Sequence, residues 1–209
     1  MAMKFIKLSS GNAEIPIVGL GTWRAQPEEV QNAVLVALEK GYRHIDTAFN
    51  YNNEDAIGDV LTKWFETGKG KREDLFITTK LPNFGNRPKD AERFLKMSLE
   101  RLKLSYVDLY LIHMPFSFVC NESNFTPQIN EDGTFRLDVD NDIVGTWKDV
   151  IVIPKSSNPV RIQANIDLFD FELTEDDMEE LDALDKGEKG RIFDFLFFKG
   201  VEKHPEYPF

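Results

Sequence analysis

Polar and apolar positions along the chain switch between a helical period and short apolar runs. Residues 4–8 and 14–17 predict two short strands flanking Ser9-Ser10-Gly11-Asn12, a hairpin signal. Ile17 to Leu20 is a further apolar run, ended by Gly21. Pro27-Glu28-Glu29 opens a helix with its acids at the positive end of the dipole. Val30, Val34, Ala37 and Leu38 give its buried face, and Gly41 stops it. His44 to Thr47 predicts a strand, Asn53 to Thr67 a helix with Ile57, Val60, Leu61 and Trp64 on one face, and Leu75 to Lys80 a strand. Pro88 to Leu104 predicts a long helix with Phe94, Leu95, Leu99 and Leu102 inward, and Val107 to His113 another strand.

Strand–helix alternation predicts an α/β fold with parallel crossovers. The strands end in polar residues, Thr47, Lys80 and His113. In a (β/α)8 barrel such ends carry the chemistry; in a doubly wound sheet the site lies at a topological switch point. The pattern does not separate the two. Met114 to Asn141 then reads as a long loop, a length typical of lids and binding loops. A helical face resumes from Asp142 through Trp147, and Val150 to Ile153 reads as a buried strand with no turn before it. Two pieces therefore meet at a join near residues 147–151, because a parallel crossover needs a dozen or more residues and a way back. Val160 to Ile166 and Leu173 onward predict two further helices, and the tail from Gly187 is aromatic, with Phe193, Phe195, Phe197, Phe198, Tyr207 and Phe209.

At 209 residues, 42% of them hydrophobic, the chain supports a sizeable core. A formal charge of -11 argues against nucleic acid and against an anionic membrane surface. Cys120 is the only cysteine, which points to a reducing compartment; the lysines of the N-terminus do not suit a signal peptide, and a cytoplasmic location is expected. Some motifs carry nothing. Gly19-Leu20-Gly21 is followed by Arg24 where a dinucleotide fingerprint needs glycine. Asp138, Asp140 and Asp142 have calcium-loop spacing without its glycine. Asn121-Glu122-Ser123 and Asn124-Phe125-Thr126 match a glycosylation pattern only, and no His/Cys cluster supports a metal.

Chemistry gathers on Gly41-Tyr42-Arg43-His44-Ile45-Asp46-Thr47-Ala48-Phe49-Asn50-Tyr51. Asp46 and Tyr51 share one loop, with Lys80 and His113 at the ends of later strands. A lysine beside a phenol is expected to lower its pKa and ready it to give a proton near neutrality. An imidazole close by can orient a carbonyl oxygen.

Taken with Gly19-Leu20-Gly21-Thr22-Trp23, Tyr51-Asn52-Asn53-Glu54, Ile77-Thr78-Thr79-Lys80-Leu81, Val107 to His113, Ile153-Pro154-Lys155-Ser156 and the final His204 to Phe209, the chain resembles the aldo-keto reductases. These are NADPH-dependent carbonyl reductases on a (β/α)8 TIM barrel. The resemblance implies a single domain over residues 1–209, monomeric, reducing a small-molecule aldehyde or ketone with NADPH. It implies Tyr51 as general acid, Lys80 and Asp46 as the pair that tunes it, and His113 as the residue that orients the carbonyl. Thr22 and Asp46 match positions near the nicotinamide ribose, Lys155, Ser156 and Arg161 the clamp on the 2′-phosphate, and Asn165 an adenine contact. Trp23, His113 and Met114 fall in the substrate pocket, where Met114 and Pro82 replace aromatic residues of many relatives, and Ala164 replaces an acidic adenine contact of some. About three central strand–helix units of the family have no counterpart, and the gap falls at the join. With them go the groups that hold the nicotinamide carboxamide and stack on its ring. Two readings follow: a carbonyl reductase, or a non-catalytic remnant that binds nucleotide weakly or acts through a partner.

Overall fold

The structure, a computed structural model, describes residues 4–7, 14–142, 146, 195 and 197–205. The expected N-terminal hairpin is present: β1 (Phe5–Lys7) pairs antiparallel with β2 (Glu14–Pro16). A parallel sheet follows, built from β3 (Leu20–Gly21), β4 (His44–Asp46), β5 (Phe76–Leu81) and β6 (Leu109–Ile112). Its four strands lie in sequence order, β3-β4-β5-β6. The helices α1 (Pro27–Glu39), α2 (Glu54–Glu66) and α3 (Pro88–Leu102) make the successive crossovers. This is the strand–helix rhythm read from the sequence. Closure into an eight-stranded barrel and the join at residues 147–151 lie outside the described residues, as do the strand and helices expected between residues 150 and 184.

Local chemistry sets the element ends. Helix α1 stops at Gly41, whose φ of 92° only glycine adopts without strain. Tyr42 N–H reaches back to Ala37 O and Gly41 N–H to Leu38 O, the paired bonds of a Schellman end. Arg43 Nη1 satisfies Leu38 O and Tyr42 O as well. Helix α3 ends the same way on Lys103, at a φ of 56°. Strand β6 begins later than its apolar pattern suggests, because the Asp108 carboxylate accepts Ile77 N–H at 2.7 Å and Arg72 Nη2 at 2.6 Å.

Val30, Val34 and Leu38 of α1, and Ile57, Leu61 and Trp64 of α2, pack on Ile45 and Ile77 of the sheet. In α3 the buried face is Ala91, Phe94, Ser98 and Leu102; Leu95 and Leu99, expected inward, are only half-buried. A second apolar cluster joins Phe49, Leu81, Phe84 and Phe94 to Phe116, Phe118 and Val201.

That cluster revises the reading of residues 114–141 as loop. The short strands β7 (Cys120–Asn121) and β8 (Thr126–Pro127) form an antiparallel ribbon, and bridges link Phe118 to Leu137 and Ile129 to Phe135. The segment is clasped to the start of α3 by Arg87, whose Nε and Nη2 reach the Asp138 carboxylate at 2.7 and 2.6 Å. The tail is tied to it through Ser117 N–H donating to His204 Nε2 and Phe135 N–H donating to Lys199 O.

Candidate active site

Asp46, Lys80 and His113 meet because β4, β5 and β6 are parallel and adjacent, so their C-terminal ends lie side by side. Register sets Asp46 opposite Thr78 and Lys80 opposite Leu111, and His113 N–H extends the ladder to Leu81 O. Tyr51 comes from a 3-10 turn, Phe49–Tyr51, that follows β4 and is closed by Asn52 in the left-handed region at φ 54°.

Lys80 Nζ is the hub. It donates to Asp46 Oδ1 at 2.6 Å, to Thr47 O at 2.8 Å and to Tyr51 Oη at 3.4 Å. The Tyr51 and His113 rings meet edge to face at 5.4 Å. All four predicted residues are thus brought together.

Their electrostatics differ from expectation in one respect. Burial, with the Asp46 carboxylate adding to it, pushes the Tyr51 phenol up to about 12, where a lysine-tuned phenol was expected to fall. Burial is the larger cause, and the Lys80 ammonium that could oppose it sits closer to Asp46, at 2.6 Å, than to the phenol, at 3.4 Å. Burial also holds the His113 imidazole down at about 4, with the Lys80 cation lowering it further and Asp46 opposing. At neutral pH the site therefore contains a protonated phenol and an uncharged imidazole. His113 Nδ1 is buried and has no hydrogen-bond partner among the described residues.

Tyr51 and His113 open into a cavity of about 600 Å³. Trp23 and Met114, both expected in the pocket, line it. Trp23 is held by the Arg24 guanidinium, 4.4 Å above its ring. The remaining walls include Asn83 and Phe84 after β5 and Asn124 to Pro127 of the ribbon, together with Phe195, Phe197 and Phe198 of the tail, whose aromatics were expected either to cover the mouth of the site or to pack against the side of the fold. The tail aromatics both line the cavity and pack on Phe116, Phe118 and Phe135. Phe125, at φ 56°, was hidden inside a glycosylation-like motif. That motif has a structural explanation, since Asn124 Oδ1 accepts Thr126 Oγ1 and Asn121 Oδ1 accepts Ser123 N–H and Oγ.

Thr22 lies beside Asp46, its hydroxyl and N–H both donating to Asp46 O at 3.0 and 3.1 Å. Lys155, Ser156, Arg161 and Asn165, the expected nucleotide clamp, lie outside the described residues. Thr22, Asp46, Tyr51, Lys80 and His113 thus form one contiguous polar cluster beside the cavity, a set of donors and acceptors compatible with the polar end of a nicotinamide cofactor. No group of acids, histidines and cysteines able to hold a metal occurs among the described residues. None of their helices is long and apolar enough to cross a membrane.

Comparison with known proteins gives a consistent picture. The model of the aldo/keto reductase family matches residues 17–122. Aldo-keto reductase family 1 member A1 of Gallus gallus is 46% identical over 145 residues, 69% of this chain and 43% of the relative. The human protein of that name is 42% identical over 151 residues, 71% of this chain and 45% of the relative. Among solved structures, an aldo-keto reductase of Bombyx mori in complex with NADP superposes with a TM-score of 0.61 at 35% identity, covering 71% of this chain and 46% of that one. Aldose reductase of Giardia lamblia does so with a TM-score of 0.58 at 41% identity, covering 63% and 43%. The chain spans less than half the length of the curated relatives it matches.

Proposed function

The chain belongs to the aldo/keto reductase family, and from that premise we propose that it reduces a small-molecule aldehyde or ketone with NADPH, on a site of the (β/α)8 barrel type. The observation that carries this reading is the convergence of Asp46, Tyr51, Lys80 and His113 at one end of a parallel sheet, facing an aromatic cavity. NADPH, when bound, supplies the hydride. Tyr51 Oη holds the proton that the carbonyl oxygen takes up. The neutral His113 donates a hydrogen bond to that oxygen and orients it. Lys80 cannot acidify the phenol strongly while it is paired with Asp46. Its part is to stabilise the phenolate left behind, which lies within hydrogen-bond reach at 3.4 Å. The aromatic walls exclude water and accept the apolar body of the substrate. Outside the described residues, Lys155, Ser156 and Arg161 would hold the 2′-phosphate and Asn165 the adenine. A cytoplasmic monomer is part of the same proposal.

The test is Tyr51→Phe. Carbonyl-dependent NADPH oxidation is expected to fall at least 100-fold while NADPH affinity, read by fluorescence titration, stays within about 2-fold. Equal turnover in the mutant would remove Tyr51 from the mechanism.

A second reading is a nucleotide-binding remnant without turnover, because the groups expected to hold the nicotinamide carboxamide have no counterpart in the sequence. The same titration separates the two readings. Saturable NADPH binding with turnover supports the reductase, and weak binding without turnover supports the remnant.

A further inference from the structure

The motif Tyr51-Asn52-Asn53-Glu54 ends in an acid that the proposed chemistry does not use. Glu54 is the first residue of α2 and is fully buried. A carboxylate at a helix start is ordinary, but the exposed Asp55 beside it already serves the dipole. Burying a charge is costly unless its oxygens are engaged, so the partners show what the residue is for. Oε1 accepts Thr79 Oγ1 at 2.7 Å. Oε2 accepts Ser98 Oγ at 3.1 Å, with Arg101 Nη1 at 3.7 Å. Thr79 immediately precedes Lys80 on β5, and alternation along a strand sends the two side chains to opposite faces. Lys80 faces Tyr51, and Thr79 faces Glu54 from the helix side.

We infer that Glu54 is a positioning residue for Tyr51, gripping β5 through Thr79 from behind the sheet and so fixing the separation between the phenol and Lys80. The inference rests on Tyr51 being the proton donor. Asn53 completes the brace: its Nδ2 donates to Thr22 O at 2.9 Å and Ala25 O at 3.1 Å, and its Oδ1 accepts Thr47 Oγ1 at 3.4 Å. The turn that presents Tyr51 is thereby tied on one side to the strand of Lys80 and on the other to the loop of Trp23. The bond from Glu54 to Ser98 runs to α3 and does not touch the site, which supplies a control.

The experiment uses the full chain labelled with 3-fluorotyrosine. The sequence has five tyrosines, and the resonance lost in Tyr51→Phe identifies the relevant one. Thr79→Val is expected to shift or broaden that resonance, while Thr79→Ser, which keeps the hydroxyl, leaves it in place. Ser98→Ala, which loosens the packing of Glu54 against α3 only, is also expected to leave it in place. In turnover, Thr79→Val should lower kcat on the order of 10-fold with KM and NADPH affinity unchanged, the signature of a misplaced acid. Should Thr79→Val fail to fold, Glu54→Met, which keeps the bulk and removes both acceptor oxygens, gives the same readout. The inference is overturned when the Tyr51 resonance is unmoved by both Thr79→Val and Glu54→Met, or moved equally by Ser98→Ala. Absence of turnover in the unmodified chain would count against carbonyl reduction, and the fluorine signal would still decide the positioning role.

Discussion

His113 shows how far a residue's setting governs its chemistry. Its imidazole is held at about 4, against an ordinary value of 6.5. Between those values the unfolded chain binds the proton that the folded chain refuses, so stability rises with pH across the window and is fully present above it. Acidification from pH 6.5 towards 4 is expected to cost up to about 3 kcal/mol through this group, at about 1.4 kcal/mol per pKa unit. Thermal unfolding of His113→Gln across that range should be correspondingly less steep in pH than that of the parent chain. An unchanged slope would mean that His113 titrates normally. Asp46, Lys80 and His113 were legible from the sequence because strand ends carried them, and Tyr51 because its loop followed directly. The upward shift of the Tyr51 phenol was not legible, since it depends on how deeply the ring is buried and on the Asp46 carboxylate beside it. Glu54 and Asn53 were hidden for a different reason: a polar residue opening a helix looks like a cap until its long-range partners are known.

At the scale of elements, the periodicity of apolar residues gave the helices and the parallel strands, because burial selects one face of each. Their ends were less legible where a side chain intervenes, as at Asp108. Strands β7 and β8 were invisible, being two residues each, too short for any alternation to register. The contact between α2 and α3 shows what such packing demands of a single position. A Cβ built on Gly58 would lie 2.3 Å from Arg101 O and 2.8 Å from the Leu102 carbonyl carbon, both backbone atoms that cannot swing aside. Gly58→Ala is expected to destabilise the chain by about 1–3 kcal/mol despite the better helix propensity of alanine, worth about 1 kcal/mol. Chemical denaturation measures the sign directly, and a stabilised mutant would show that the two helices part freely.

For the whole molecule, the acidic balance of -11 coexists with a cavity whose lining, among the described residues, contains no carboxylate and a single formal cation, Arg101. Net charge therefore says little about what enters. The barrel expected from the family is represented by four parallel strands in order, and Asp46, Tyr51, Lys80 and His113, the proposed acid–base groups, lie wholly within that part. The particular contact between Ser117 and His204 was not legible, since no local pattern links residue 117 to residue 204.

That last contact has a kinetic meaning. Ser117 and His204 are 87 residues apart, and Phe135 likewise bonds to Lys199. Sheet neighbours such as Lys80 and Asp46 are 34 apart. Closing the longer loop costs more chain entropy, and that cost falls due before the aromatic contacts can repay it. The sheet should therefore assemble first and the binding cavity last. In pulse-labelled hydrogen exchange during refolding, amides of β4 and β5 are expected to gain protection before those of Ser117 and Phe135. A nascent chain would then hold its proposed proton donor in place before it has anywhere to seat a substrate.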